Sequence, residues 1–372
     1  MRLNNYIYIL YSIYSIFGVL ILIGYYFQFK KKIKHTLSQE LNIKLNNLVV
    51  IIPFRNEESN LDKLIKSIEN LSILPSNFIF VNDHSSDNSV DQIKQLSSRI
   101  PYEVLSLPKL KQGKKEAIRL GINHLKCDYN LTWDADIEVP TNYFKKIEQL
   151  PNSDLYILPI KMIGENLKEN YFESDHAITN AINTSISGWK RPFIASGANL
   201  LFKQESFFKA DRFDSHSHLA SGDDLFLLRD FRNNKNSIDL ITDCDLTVTT
   251  RSPKTINEFI NQRLRWIGKG KEVNDKLSNS LAILSLTFNL LFIYLLLFYA
   301  FQSKWEEVIL FFSLKSIIDQ TVYLPYFMKI NRLKTWITLP VFSLIQPIYL
   351  FVLSILIFVY QPSWKNRKVR IK

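Results

Sequence analysis

The segment LVVIIPFRNEESNLDKLIKSIENL, residues 48–71, decides the fold. Its first seven residues, Leu48 to Phe54, are uncharged and apolar, the pattern of a strand buried on both faces. From Asn56 onward the apolar residues return at helical spacing, with carboxylates early and lysines later, which complements the helix dipole. The same strand-then-helix pattern recurs downstream. FIFVND (78–83) is read as a second strand, and SSDNSVDQIKQLSSR (85–99) as the cap and body of the next helix. YEVLSL (102–107) gives a third strand, GKKEAIRLGINHL (113–125) a third helix and YNLTWD (129–134) a fourth strand. Parallel neighbours need crossover connections, so this order predicts a mainly parallel sheet covered by helices.

Ligands of such sheets bind beyond the carboxyl ends of the strands. Three of those ends carry RNEE (55–58), NDHSSD (82–87) and DADIE (134–138). The first two, each alone, are explained as helix caps, since Asn, Asp and Ser satisfy the open amides of a first turn. Together, carboxylates at three strand ends meet in one crevice and require cations or hydroxyl groups as partners. Asp134 and Asp136 are two apart on a strand and so project the same way. Their oxygens suit a hard divalent ion, Mg²⁺ or Mn²⁺, shared with phosphate oxygens. No GxGxxG follows the first strand and no GxxxxGK[ST] occurs anywhere, which removes most support from dinucleotide oxidoreductase and P-loop readings.

The ends of the chain are of another kind. Tyr6 to Phe29 carries no charge and as a helix would reach about 36 Å, enough to cross a bilayer core. Lys30, Lys31, Lys32 and Lys34 follow it, which makes the segment a signal anchor with the chain from Lys30 onward in the cytoplasm. Further spans are expected at Leu281 to Phe301, Val308 to Met328 and Trp336 to Tyr360. Inside the second of these, Lys315 and Asp319 lie four apart and read as an ion pair turned toward a neighbouring helix. Three crossings here would leave the basic tail WKNRKVRIK (364–372) outside, against its charge, so two to three C-terminal membrane helices are expected. The net charge of +11 lies largely in KKKIK, KINRLK and that tail, beside membrane segments, which points to anionic lipid headgroups and not to nucleic acid. Cys127 and Cys244 suit reduced thiols better than a disulfide. The expected organisation is an anchor over 1–29, a cytoplasmic domain over 45–276, membrane helices over 277–360 and a basic tail over 361–372, in a multi-pass protein of a bacterial-type cytoplasmic membrane.

At this point the chain resembles the GT-A fold glycosyltransferases of family 2, over residues 45 to 270. VVIIPFRNEE looks like the family's opening strand and Asn-Glu turn, FIFVNDHSSDNS its acidic nucleotide motif and LKQGKKEAIRLGI its Gly-Lys helix. WDADIEVP is similar to the DxD motif, ASGDDLFLL to the later acidic pair, and NQRLRW to (Q/R)xxRW. Asn82 and His84 stand where an acidic residue and a glycine are usual, and Phe54 and Arg55 replace a more frequent Thr-Tyr, which bears on the identity of the nucleotide. The resemblance implies donor binding by Pro53, Asn56, Glu57, Asp83, Lys114 and Asp134, with Asp83 at the base, Glu57 at the nucleoside and Asp134 at ribose and sugar. It implies Asp136 as metal ligand and Asp224, beside Asp223, as the general base of an inverting displacement. On spacing alone those last two are simply N-terminal helix charges.

Gln262, Arg265 and Trp266 fall at i, i+3 and i+4, on one helix face, where a guanidinium matches a diphosphate and an indole can close an acceptor site. The plainer alternative is a basic helix lying on lipid. His216 and His218 have no third ligand at zinc spacing and read as a loop, and Gly197 in SGANLLF is a candidate lining of the donor sugar pocket. The resulting expectation is a membrane-bound, metal-dependent inverting glycosyltransferase that uses a nucleotide-diphospho-sugar, UDP-linked, with a lipid or glycan acceptor. A processive polysaccharide synthase is the runner-up. An inactive scaffold or nucleotide-sugar sensor is the alternative from another class.

Overall fold

The computed structural model describes residues 2–37, 43–189, 192–210, 223–273, 275–364 and 367–368. In chain order its helices are α1 (Arg2–Leu37), α2 (Glu58–Glu69), α3 (Ser89–Ile93), α4 (Lys114–His124), α5 (Tyr143–Ile147), α6 (Leu167–Gly188) and α7 (Gln204–Ala210). They continue with α8 (Asp223–Asn233), α9 (Ile256–Val273), α10 (Lys276–Phe301), α11 (Trp305–Lys329), α12 (Leu333–Ile337) and α13 (Leu339–Val359). The chain divides into two compact units. One holds Ile33–Ile163, Ile194–Arg251 and Gln361–Lys372, the other Met1–Lys32, Gly164–Phe193 and Ser252–Tyr360.

The first unit is built on strands β1 (Leu48–Phe54), β2 (Asn77–Asn82), β3 (Tyr102–Ser106), β4 (Tyr129–Trp133), β5 (Ile137–Glu138), β6 (Leu155–Ile157), β7 (Ile160–Ile163), β8 (Asn199–Lys203), β9 (Ile238–Leu240) and β10 (Val248–Arg251). Seven of them form one sheet in the order β3-β2-β1-β4-β8-β6-β9. Only β8 runs against the rest, antiparallel to both β4 and β6. The other pairings are parallel, which is the mainly parallel sheet that the alternating pattern predicts. β5, β10 and β7 make a second, three-stranded sheet.

The uninterrupted apolar run of β1 is explained by its two faces. Leu48, Val50, Ile52 and Phe54 enter one core with Leu61, Leu64 and Ile68 of α2. Val49 and Ile51 enter the other with Ala117, Ile118 and Ile122 of α4. A period of two therefore sends alternate side chains into two cores, and neither face is left for polar residues. Pro53 is tolerated in this central strand because β4 pairs only with Leu48 to Ile51, so its missing N–H breaks no ladder bond on that side. The helix expected over 85–99 is shorter than the sequence predicts. α3 spans only Ser89–Ile93, and α5 is a single short turn of helix, Tyr143–Ile147.

In the second unit α10, α11 and α13, together with Leu10–Lys30 of α1, are long and apolar enough to cross a membrane. That sets the C-terminal group at three such helices. Lys315 pairs with Asp319 at 2.5 Å, as their spacing predicts, and the Tyr14 hydroxyl of α1 donates to the same carboxylate. α6 joins these helices through Ala177 and Ala181, which pack with Tyr25, Tyr326, Phe327 and Leu339. α9 joins through Phe259, which packs with Phe172 and Phe342.

Candidate active site

Three strand ends and the turns after them build the site. β1 and β2 are in register to their last residues, Phe54 opposite Asn82, so Arg55 and Asp83 emerge side by side. The Arg55 guanidinium donates to the carbonyls of Asp83 at 2.7 Å and His84 at 3.1 Å. Asn56 follows with φ 49°, a left-handed conformation that Asn tolerates, and its side-chain oxygen accepts from Ser86 N at 2.8 Å. Glu57 N donates to Ser89 Oγ at 2.8 Å and Glu58 N to Asp87 Oδ2 at 3.1 Å. The N-cap residues of α2 and α3, Glu57 and Asn88, make no side-chain cap. The polar clusters that read singly as caps also tie the two turns together, while Asp87 Oδ1 accepts locally from Ser89 N at 3.1 Å at the start of α3.

Asp83 is buried, and its Oδ2 accepts from Gly113 N at 3.0 Å. Gly113 has φ 100°, which a side chain would strain, and it opens α4 so that Lys114 comes next. Lys114 Nζ donates to Asp134 Oδ1. A methyl group added at Gly197 would lie 3.5 Å from Lys114 Nζ and 3.9 Å from Asp224 Cβ, so both side chains approach the space that this glycine leaves open. Gly197 N donates to Asp224 Oδ2 at 3.2 Å, and Leu225 N to Oδ1 at 2.9 Å. The segment bearing Gly197 is held from below by the buried Asn199, whose Nδ2 donates to the carbonyls of Pro159 at 2.9 Å and Leu246 at 3.0 Å. Asp134, Lys114, Gly197 and Asp224 thus form one connected group at the strand ends.

Asp136 completes it. By surface its side chain is open to solvent, yet it is ringed by protein, as on the wall of a crevice. Burial, then the charges of Asp134 and Glu57, push its carboxyl up to about 7, with Lys114 opposing. Thr250 Oγ1 donates to Asp136 Oδ2 at 3.5 Å, brought there because β10 pairs with β5, immediately after Asp136. Excess negative charge on an accessible oxygen is what a divalent cation would answer. Among the described residues no three His, Cys, Asp or Glu form a ready-made metal cage. This fits an ion of the Mg²⁺ or Mn²⁺ kind, which takes one or two carboxylates and completes its shell with water and substrate phosphates.

Pro53, Asn56, Glu57, Asp83, Lys114, Asp134, Asp136 and Asp224 all belong to the sheet unit. The side chain of Asp223, and His216 and His218, lie outside the described residues. Gln262, Arg265 and Trp266 belong to the other unit, where all three are half-buried. The charged residue of NQRLRW that turns inward is Arg263, which pairs with Asp175 of α6 at 2.6 Å. Its guanidinium also lies 4.9 Å from the Phe259 ring centre and 4.3 Å from that of Trp266. His176 stands beside Trp266, and burial followed by the charge of Arg263 pushes it down to about 3, so it is neutral. Sequence reasoning missed Arg55, Thr250, Asn199 and Arg263, whose partners are distant in the chain. Only the unusual Phe54-Arg55 pair gave any signal.

Residues 49–208 match glycosyl transferase family 2. A dolichol-phosphate mannosyltransferase from Pyrococcus furiosus is 35% identical over 111 residues, 29% of this chain and 31% of the relative. A poly-beta-1,6-N-acetyl-D-glucosamine synthase from Staphylococcus aureus is 27% identical over 128 residues, 34% of this chain and 30% of the relative. The matched stretch thus spans less than a third of the length of either relative. Among solved structures, a mannosyltransferase from Pyrobaculum calidifontis in complex with GDP-mannose and Mn²⁺ aligns with a TM-score of 0.52 at 12% identity, covering 91% of this chain and 99% of that one. At that identity the likeness is one of fold.

Proposed function

We propose that this chain, whose residues 49–208 match glycosyl transferase family 2, transfers a sugar, with inversion, from a nucleotide-diphospho-sugar to a lipid or lipid-linked acceptor. The observation that supports this most is that Lys114, paired with Asp134, and Asp224 both lie within contact range of where a side chain at Gly197 would stand, which sets a donor-side cation and a candidate base close together at a position without a side chain. In the proposed displacement the acceptor oxygen attacks the anomeric carbon, the bond from that carbon to the diphosphate breaks, and the acceptor proton passes to Asp224. Two backbone amides, Gly197 N and Leu225 N, fix the orientation of that carboxylate. Asp134 and Lys114 hold the ribose and sugar end of the donor, and the turns bearing Asp83, Asn56 and Glu57 hold the nucleoside. Asp136 would hold a divalent cation, which neutralises the leaving diphosphate when bound.

By resemblance of motif alone, Gln262, Arg265 and Trp266 are assigned to the diphosphate or the acceptor. A lipid acceptor is favoured by the four helices apolar enough to cross a membrane, and one relative is itself named for dolichol phosphate. The uridine nucleotide rests on the family pattern, and the fold relative's GDP-mannose makes a guanosine donor the natural comparison. The test is turnover by the full chain with UDP- and GDP-sugars, Mn²⁺ or Mg²⁺ and a membrane-lipid extract. Metal-dependent release of nucleoside diphosphate, with one sugar per lipid, is expected. A long polymer would favour a processive synthase, and no turnover with any donor would favour a scaffold.

A further inference from the structure

The helices of the second unit enclose a cavity of about 310 Å³ that the proposed chemistry does not use. Its apolar wall includes Phe17 and Ile21 of α1, Ile178 and Ile182 of α6, Leu284 of α10 and Phe342 of α13. At about 30 Å³ per water-sized group this is space for roughly ten methylenes, far more than the voids of a packed interior. Four of the helices that line it are long and apolar enough to cross a bilayer, so the medium available to fill it is hydrocarbon.

The charges at the wall do not call for an ionic ligand. Lys315 and Asp319 line the cavity, but they pair with each other at 2.5 Å, and Tyr14 donates to the same carboxylate. The Lys315 ammonium also lies 5.2 Å from the Phe292 ring centre. The wall also offers oxygen acceptors. Ser174 and Ser185 donate their hydroxyl protons to the carbonyls of Tyr171 and Ile21 and so present lone pairs. Asn289 Oδ1 is buried and has no hydrogen-bond partner among the described residues. These acceptors, set in an apolar wall that also carries the Tyr323 hydroxyl and beside an internally neutralised ion pair, suit a neutral ligand with O–H groups.

We propose that this cavity binds one hydrocarbon chain of a neutral, hydroxyl-bearing membrane lipid, and that this lipid class is the sugar acceptor. The second half rests on the glycosyltransferase reading, whereas the first does not.

Both halves are tested with the full chain in phospholipid nanodiscs. A diacylglycerol with a photoreactive diazirine in one acyl chain should label α6 around Ile178 and Ile182 and α10 around Leu284. Ser343→Trp, which fills the cavity from the buried side of α13, should cut labelling at least fivefold. Ile182→Phe, a milder fill, should cut it too if the first variant does not fold. Leu297→Trp, at an exposed position of α10 away from the lining, should leave it unchanged. Labelling that survives both fills overturns the site, and equal labelling by an anionic phosphatidylglycerol probe overturns the choice of a neutral headgroup. In turnover assays a fill that folds should raise the acceptor KM at least tenfold and leave the donor KM unchanged. Specific capture of the probe without sugar transfer to diacylglycerol would refute the acceptor role while the binding site stands.

Discussion

Asp136 sits where burial and two neighbouring carboxylates work against its charge, and this has a measurable sign. Its carboxyl is pushed up to about 7 from an ordinary value near about 3.9. Between those limits the metal-free fold keeps a proton that the unfolded chain has lost, so its stability falls as pH rises through that window. A divalent cation competes with that proton, and its affinity should drop about tenfold per pH unit below about 7. Thermal melts with Mn²⁺ and nucleoside diphosphate should therefore show a large metal-induced rise at about pH 7.5 and little at about pH 5.5, with Asp136→Asn removing the difference. A rise that ignores pH would contradict the assignment. Gly197 gives a second residue-scale prediction. The added methyl of Gly197→Ala meets its neighbours at ordinary contact distances, so the variant should fold with a melting temperature close to wild type while narrowing the space between Lys114 and Asp224. Donor KM should rise about tenfold, and a collapse of stability would show that the glycine serves the fold instead. Asp224, at the start of α8, came only from the resemblance, whereas the carboxylates just after β1, β2 and β4 were legible in the sequence because they follow strands whose pattern is unmistakable. Arg55 and Thr250 were not, because their roles depend on which strand end or edge lies alongside, and local spacing does not encode that.

At the scale of elements, α1 and α6 cross backbone to backbone. A Cβ at Gly24 would lie 2.4 Å from the Ser185 carbonyl oxygen, and one at Gly188 would lie 2.0 Å from the Gly24 carbonyl oxygen. Close approach through small residues is how helices without a hydrophobic driving force between them associate. Gly24→Ala and Gly188→Ala should each cost about 1–3 kcal/mol or more, read as a lowered melting temperature in detergent, whereas the same change at Gly270, which has open space around it, should cost far less. Arg263 and Asp175 make the second tie, between α9 and α6, with side-chain exposures of 6% and 12%. Removing either partner strands the other charge, so Arg263→Ala or Asp175→Ala should cost about 3–5 kcal/mol, and the double variant less than the two together. The helical spacing of NQRLRW correctly put Gln262, Arg265 and Trp266 on one face. It could not show that Arg263 holds that helix in place, because the deciding carboxylate lies on α6, far upstream.

Over the whole molecule, the repeating strand-helix order carried the reading of the sheet, since each crossover leaves only parallel neighbours. The reversal of β8 escaped it, because a short apolar strand has the same composition in either direction. The apolar ends were equally plain, with four helices fit to cross a membrane. What composition could not reveal is that α6 and α9, whose sequences are too polar to look like membrane helices, pack into the same unit as those four. The central claim, that the strand-end cluster transfers sugar with Asp224 as the base, is tested most directly by comparing Asp224→Asn with the wild type in donor turnover and nucleotide affinity. A fall in kcat of at least about 100-fold is expected, with nucleoside diphosphate binding within about twofold of wild type. Turnover by Asp224→Asn at the wild-type rate would contradict it.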